Sequence, residues 1–237
     1  MTQASPRPAA TGWPQGTLLG ELSSTARTKL LNLGYATHYA QGALLFGQGD
    51  QTTDGVLITS GVVKLMTHDD QGYDLLLDIQ AGGTSVGLIE ALDGGPRTTT
   101  AMAATPVDAL RIDRMALQHL LARNPDLALA ISQDFARQLR SAHRRRRDLA
   151  GSSTVRQRVA RVLGELSESF GQRTLYGVTI TVSLSQQELA SLVGASQLTL
   201  HKALASLRRE GVIETGYRRV IIRDPDALAE VAEGRPT

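Results

Sequence analysis

The spacing of apolar positions changes character twice along the chain. Between residues 35 and 115 they fall in short runs cut by turns rich in glycine or aspartate. Residues 43–46 precede Gly47 to Asp50, 56–59 precede Gly61, 62–66 precede His68 to Gly72, and 75–79 precede Gly82 and Gly83. Residues 106–112 close the series, with Asp108 and Arg111 flanking their apolar neighbours. Strands of this length and spacing predict a small antiparallel barrel or sandwich. On either side the period becomes helical. Residues 22–33 read as a short helix, capped at Ser23 or Ser24 and stopped at Gly34. Asp113 is placed to cap a helix over 114–123, and Asn124-Pro125 then opens a long one reaching Ala150, because proline suits a first helical position.

That long helix carries Ile131, Phe135, Leu139, Ala142 and Leu149 at three- and four-residue steps and one whole heptad. A stripe of this kind predicts pairing with a second copy of the helix; packing on the chain's own barrel is the alternative. The run Arg144 to Arg147 points in all directions on a helix, so it reads as a solvated or ion-paired face, with contact to DNA phosphate as the other option. Gly151, Ser152 and Ser153 read as a hinge. A helix comes next over 154–169, with Val155, Val159, Val162, Leu163 and Leu166 inside. A strand over 176–183 alternates Val178, Ile180 and Val182.

Residues 185–211 then read as two short helices about a tight turn. Ser185 and Glu188 have the spacing of a capping box. Leu189, Leu192 and Val193 give the first helix its apolar face, and Gly194 can take the positive φ of a turn. Ser196 can cap the second helix, whose inner side carries Leu200, Leu204 and Leu207. Its other face presents Gln197, Leu198, His201 and Lys202, the way a helix-turn-helix offers side chains to a major groove. An ordinary helical hairpin has the same spacing. Residues 212–231 separate the two readings: strands at 212–214 and 219–223 flank Gly216 as a wing, and Asp224-Pro225 starts a last helix with Leu228 and Val231.

Charge sharpens this picture. Residues 1–136 hold 8 Lys+Arg against 13 Asp+Glu, a balance of −5, whereas residues 137–237 hold 17 against 10, a balance of +7. The basic half holds the helix-turn-helix, which points to a polyanion as its partner. The chain has 237 residues, 41% of them apolar, enough for one large or two small cores. It has no cysteine, so disulfides, thiolate zinc sites and cysteine-held iron–sulfur clusters are not expected. Five scattered histidines give no metal cluster and no expected haem ligand. No run of about 18 apolar residues predicts a membrane span. The first 15 residues, with Pro6, Pro8 and Pro14, read as a mobile tail rather than a secretory signal. No nucleophile–base set, P-loop or dinucleotide fingerprint is present, so an enzyme is not expected.

The segments GALLFGQGD (42–50), SGVVKL (60–65), VGLIEALDGGPRTTTA (86–101) and the 185–211 block with its wing, taken in register, resemble the Crp/Fnr family of bacterial transcription regulators over roughly residues 17–230. The resemblance implies an α+β chain: flexible tail 1–16, an N-terminal cyclic-nucleotide-binding-like β-roll over 17–123, a dimerisation helix over 124–150, and a winged helix-turn-helix over 151–237. It implies a cytoplasmic homodimer on two-fold-symmetric double-stranded DNA, with RNA polymerase as a further partner. An effector in the roll would reorient the DNA-binding halves through the long helix; a ligand-independent regulator, or a module acting on a protein partner, is the alternative. By the family's pattern Gln197, Leu198 and Lys202 reach bases, and Ser196, Thr199, Arg218 and Arg219 meet phosphate. In the cyclic-AMP-binding members an Arg meets the cyclic phosphate, and Gly87, Arg97 and Thr98 match that pattern. The family's ribose-binding Glu falls on Leu88, with Glu90 nearby, and its adenine-reaching hydroxyl residues fall on Ala142 and His143. Cyclic AMP, another ligand and no ligand are thus all open.

Overall fold

Strand β3 shows how the first half of the chain is built. In the computed structural model, which describes residues 12–68, 72, 74–151 and 153–234, β3 spans Gly55–Ser60 and is buried along nearly its whole length. Its side chains alternate, so Val56 and Ile58 face one apolar core while Leu57 faces another. A run buried on both faces reads as continuously apolar.

Ahead of β3 lie α1 (Leu18–Glu21), α2 (Ser24–Leu31), β1 (Tyr35–Tyr39) and β2 (Leu44–Phe46). After it come β4 (Val62–His68), β5 (Asp74–Ala81), β6 (Ser85–Val86), α3 (Leu88–Asp93), β7 (Thr100–Ala103), β8 (Val107–Ile112), α4 (Arg114–Ala122) and α5 (Pro125–Ala150). The strands form two four-stranded antiparallel sheets, ordered β1-β8-β3-β6 and β2-β7-β4-β5. One core lies between the sheets and includes Phe46, Val63, Ala101, Val107 and Ala109. The other joins the outer face of β3 and β8 to the helices through Leu18, Leu30, Leu110, Leu117, Leu127 and Ile131. This is the expected roll.

The end of the expected tail is docked rather than loose. The Trp13 indole N–H donates to Thr59 O at 3.0 Å, and the Arg27 guanidinium lies 5.8 Å from the ring centre. Residues 1–11 of that tail lie outside the described residues, as do residues 69–71 of the β4–β5 turn and Ser152 of the expected hinge.

The chain divides into two compact units, Met1–Ser141 and Ala142–Thr237. The second contains the last turns of α5, then α6 (Val155–Phe170), β9 (Gly171–Thr174), β10 (Gly177–Ile180), α7 (Gln186–Val193), α8 (Gln197–Arg209), β11 (Ile213–Gly216), β12 (Arg219–Ile222) and α9 (Pro225–Glu233). Its sheet runs β11-β12-β10-β9. Thr154 and Gln157 form a capping box at α6, whose Val159, Leu163 and Leu166 are buried. Among the described residues, no helix is long and apolar enough to cross a membrane.

The stripe on α5 is a correction. Ile131 is buried in the roll's own core, and Phe135 packs against that core. Leu139 is exposed instead. The first part of the helix therefore uses Leu127, Ile131 and Phe135 at home, since the outer face of β3 and β8 needs a cover, while Leu129 stays exposed.

Candidate functional site

The helix-turn-helix is assembled by local chemistry. Ser185 Oγ accepts from Glu188 N, and the Glu188 carboxylate accepts from Ser185 N at 2.8 Å, so the capping box is complete. Helix α7 stops where Gly194 takes the left-handed conformation, φ 66 and ψ 50. Arg158 then ties off the helix end: its Nε donates to Val193 O at 3.0 Å and its Nη2 to Gly194 O at 3.1 Å. Its Nη1 donates to Ser153 O, so one side chain joins the segment just ahead of α6 to the turn. Sequence reading missed Arg158, because nothing in its spacing marks a partner 35 residues away.

Helix α8 begins at Ser196, whose Oγ accepts from Thr199 N at 3.2 Å and lies 2.9 Å from Thr199 Oγ1. Leu200, Ala203, Leu204 and Leu207 are buried. Gln197, Leu198, Thr199, His201 and Lys202 are exposed together on the outer face. Among the described residues the side chains of Gln197, His201 and Lys202 form no hydrogen bond or ion pair with another side chain. The wing hairpin turns through Tyr217 and Arg218, and Arg218 has φ 51, the one positive φ outside glycine among the described residues. Arg218 Nη2 lies 3.9 Å from Glu188 Oε2, while Arg219 is exposed. A cleft of about 370 Å³ runs between this wing and α8, with His201, Arg208 and Arg219 on its walls. A helix offering polar side chains beside a basic wing can reach base edges and neighbouring phosphates.

The arginine run is less free. Arg145 Nη2 lies 3.7 Å from Glu165, while Asp148 pairs with Arg161 at 2.6 Å rather than with the run.

In the roll, Gly87, Glu90, Arg97 and Thr98 come together. Gly87 caps α3 in the left-handed conformation, and a Cβ there would sit 2.1 Å from Arg97 Nη1. The Arg97 side chain is fully buried. Its Nε donates to Thr52 Oγ1 at 3.2 Å, its Nη1 to Gly87 O at 3.1 Å, and its Nη2 to both Asp54 O and Asp54 Oδ1 at 2.6 and 3.1 Å. Glu90 Oε2 is 3.6 Å from Nη1, and the Phe46 ring lies 4.1 Å from the guanidinium carbon. Glu90 also accepts from Thr98 N and Thr98 Oγ1. Burial lowers the Arg97 pKa, with Asp54 and Glu90 acting against that fall. Asp54 is shared: Arg111 grips its carboxylate at 2.6 and 2.8 Å, and these hydrogen bonds raise the Arg111 pKa.

The remaining expected effector residues lie elsewhere. Leu88 is buried in the core beside Gly55 rather than beside the guanidinium. Ala142 and His143 are exposed on α5, within the second unit. A cyclic phosphate needs free guanidinium hydrogens, and here the protein's own oxygens take them. The residues present do not fit that group. Asp54 was not legible as part of the site, because it lies in a polar turn 43 residues from Arg97.

Residues 36–124 match the cyclic nucleotide-binding domain, and residues 157–231 match the Crp-like helix-turn-helix domain. The chain is 34% identical over 194 residues to the CRP-like cAMP-activated global transcriptional regulator of Mycobacterium tuberculosis, covering 82% of this chain and 86% of that one. It is 31% identical over 196 residues to the cyclic AMP receptor protein of Thermus thermophilus, covering 83% and 87%. A solved CRP/FNR-family transcriptional regulator from Thermus thermophilus superposes with a TM-score of 0.71 at 27% identity, covering 85% of this chain and all of that one. The chain belongs to the CRP/FNR family of DNA-binding transcription regulators.

Proposed function

We propose that the protein works in the cytoplasm as a homodimer that sets α8 of each copy into the major groove of a two-fold-symmetric DNA site, and does so without cyclic nucleotide. The observation that carries the DNA contact is the row Gln197, Leu198, His201 and Lys202, exposed on a helix whose opposite face is buried. Gln197 suits adenine, Lys202 suits guanine, and Leu198 suits a thymine methyl group. Ser196, Thr199, Arg218 and Arg219 contact phosphate and set the register. The division of labour follows a roll over 17–123, a dimerisation helix over 124–150 and a winged helix over 151–237, with RNA polymerase as the partner that the DNA-bound dimer influences.

Leu129 and Leu139, both more than half exposed on α5, support the dimer. With Ser132, Ala136 and His143 they form a second stripe at three- and four-residue steps, separate from the buried Leu127 and Ile131. Two relatives are named for cyclic AMP, which favours it as effector. The closure of Arg97 favours the ligand-free reading.

Selection of binders from random duplex DNA, followed by gel shifts with and without cyclic AMP, tests this. A palindromic consensus and equal retardation in both lanes are expected. No retarded species in either lane would remove the DNA reading; retardation only with cyclic AMP would remove the ligand-free one.

A further inference from the structure

The ion-paired side chains at the roll's expected phosphate site balance one another before any ligand arrives, and Asp50 adds a weaker negative field at Arg97. Arg97 and Arg111 contribute two positive charges, and Asp54 and Glu90 two negative ones. Asp54 is the central piece. Its carboxylate receives Arg97 Nη2 on one side and both edge nitrogens of Arg111 on the other, while its backbone carbonyl takes a second Nη2 hydrogen. Tyr39 Oη and Leu45 O occupy the other Arg111 nitrogen.

We propose that Asp54, backed by Glu90, is a resident anion that stands where the roll's arginine would otherwise receive a phosphate, and that it excludes cyclic nucleotides and other phosphate-bearing ligands. The proposal deepens the ligand-free reading above and is independent of the DNA reading.

Two physical arguments support it. A tethered carboxylate competes at a high effective concentration, so a dissolved phosphate starts at a disadvantage. Adding a monoanion to ion pairs that already balance leaves at least one uncompensated negative charge, whereas displacing Asp54 strands a carboxylate that is four-fifths buried. Breaking such a pair costs about two to three orders of magnitude in affinity. Phe46 covers one face of the Arg97 guanidinium, Gly87 lies against one edge and Thr52 takes the Nε hydrogen, so a ligand would have to displace protein groups to reach it.

The arrangement also predicts a gain of function. Replacing Asp54 by Asn keeps the shape and removes one charge, leaving two arginines with a surplus of positive charge in a small space. Inorganic phosphate is the right size and charge to restore the balance.

The test uses the full chain. Wild type is titrated with cyclic AMP and with inorganic phosphate by calorimetry. Thermal melts of wild type, Asp54→Asn and the double variant Asp54→Asn/Arg97→Gln are then run in phosphate against chloride at matched ionic strength. Wild type should show no saturable heat with either ligand at millimolar concentration. Asp54→Asn should melt lower than wild type and regain stability saturably with millimolar phosphate, and the double variant should not. Saturable binding of cyclic AMP or phosphate by wild type would overturn the proposal, as would a folded Asp54→Asn chain indifferent to phosphate. If Asp54→Asn does not fold, the wild-type titration and the milder Glu90→Gln variant, expected to acquire weak phosphate stabilisation, decide it: a saturable wild-type heat or a phosphate-indifferent Glu90→Gln chain overturns the proposal. Gel shifts run in parallel report on DNA binding alone, so a failure there leaves this result separate.

Discussion

Gly194 and Asp108 show what single side chains contribute. Gly194 sits at φ 66, and a Cβ there would come within 2.2 Å of a Leu149 methyl. Leu149 is half exposed and can swing aside, so the lasting cost is in the backbone. Gly194→Ala should destabilise the second unit by about 1–2 kcal/mol, and Gly194→Asn by less, because Asn tolerates the left-handed region; chemical denaturation followed by circular dichroism checks the order. Asp108 lies on the surface of β8, 2.8 Å from His38 Nδ1, and accepts from Ser60 Oγ at 2.9 Å. These hydrogen bonds, His38 first, hold its pKa below the ordinary 3.8. A depressed folded pKa gives stability that is present above the unfolded value and lost as pH falls through the folded one. Wild type should therefore lose stability more steeply than Asp108→Asn below about pH 4, in urea midpoints taken from pH 6 downward. The difference will be small, because both side chains are largely in solvent.

Individual elements differ in how clearly the chain announced them. Runs with a strong period were legible: β3, β4 and β5, the capped helices α2, α4, α6 and α9, and above all α7, α8 and the wing. Strands β9, β1 and β7 and helix α3 carry little apolar contrast along the sequence, whether they are exposed or buried. Strand β9 is exposed throughout, and β1 is mostly polar and is held by its register on β8. Strand β7 is built of Thr, Ala and Met, whose small side chains suit a tight core but carry little apolar contrast. Helix α3 is six residues long and begins and ends at left-handed glycines, so the flanking glycines read as a turn. The candidate DNA-reading row was visible because it lies on one helix. The closure of Arg97 was not, because it joins residues 45, 43 and 10 positions away. On α5, two stripes overlap in sequence and only burial separates them. Leu129→Glu together with Leu139→Glu should convert dimers to monomers in sedimentation velocity while leaving the circular dichroism of the fold intact. A double variant that still sediments as a dimer would exclude this face.

For the whole molecule, the separation of charge is the property with the widest reach. The acidic first half gains nothing from a polyanion, and the basic second half carries the groups that would neutralise one. The logarithm of DNA affinity should fall linearly with the logarithm of salt concentration. Arg219→Ala should reduce that slope by about 1 without changing base preference, whereas Lys202→Ala should relax preference at one position and cost about 1–3 kcal/mol. Fluorescence anisotropy across a salt series, on consensus and scrambled duplexes, distinguishes the two.

The docked indole of Trp13 has a practical consequence. It is the single tryptophan of the chain, and its hydrogen bond to Thr59 fixes it to the roll. Tryptophan emission therefore follows the melting of the first unit alone, while far-ultraviolet dichroism follows both. A regulator whose halves unfold separately would show two midpoints by dichroism and one by emission. The single tryptophan thus labels the unit built on the roll, and the unit that holds the helix-turn-helix carries none.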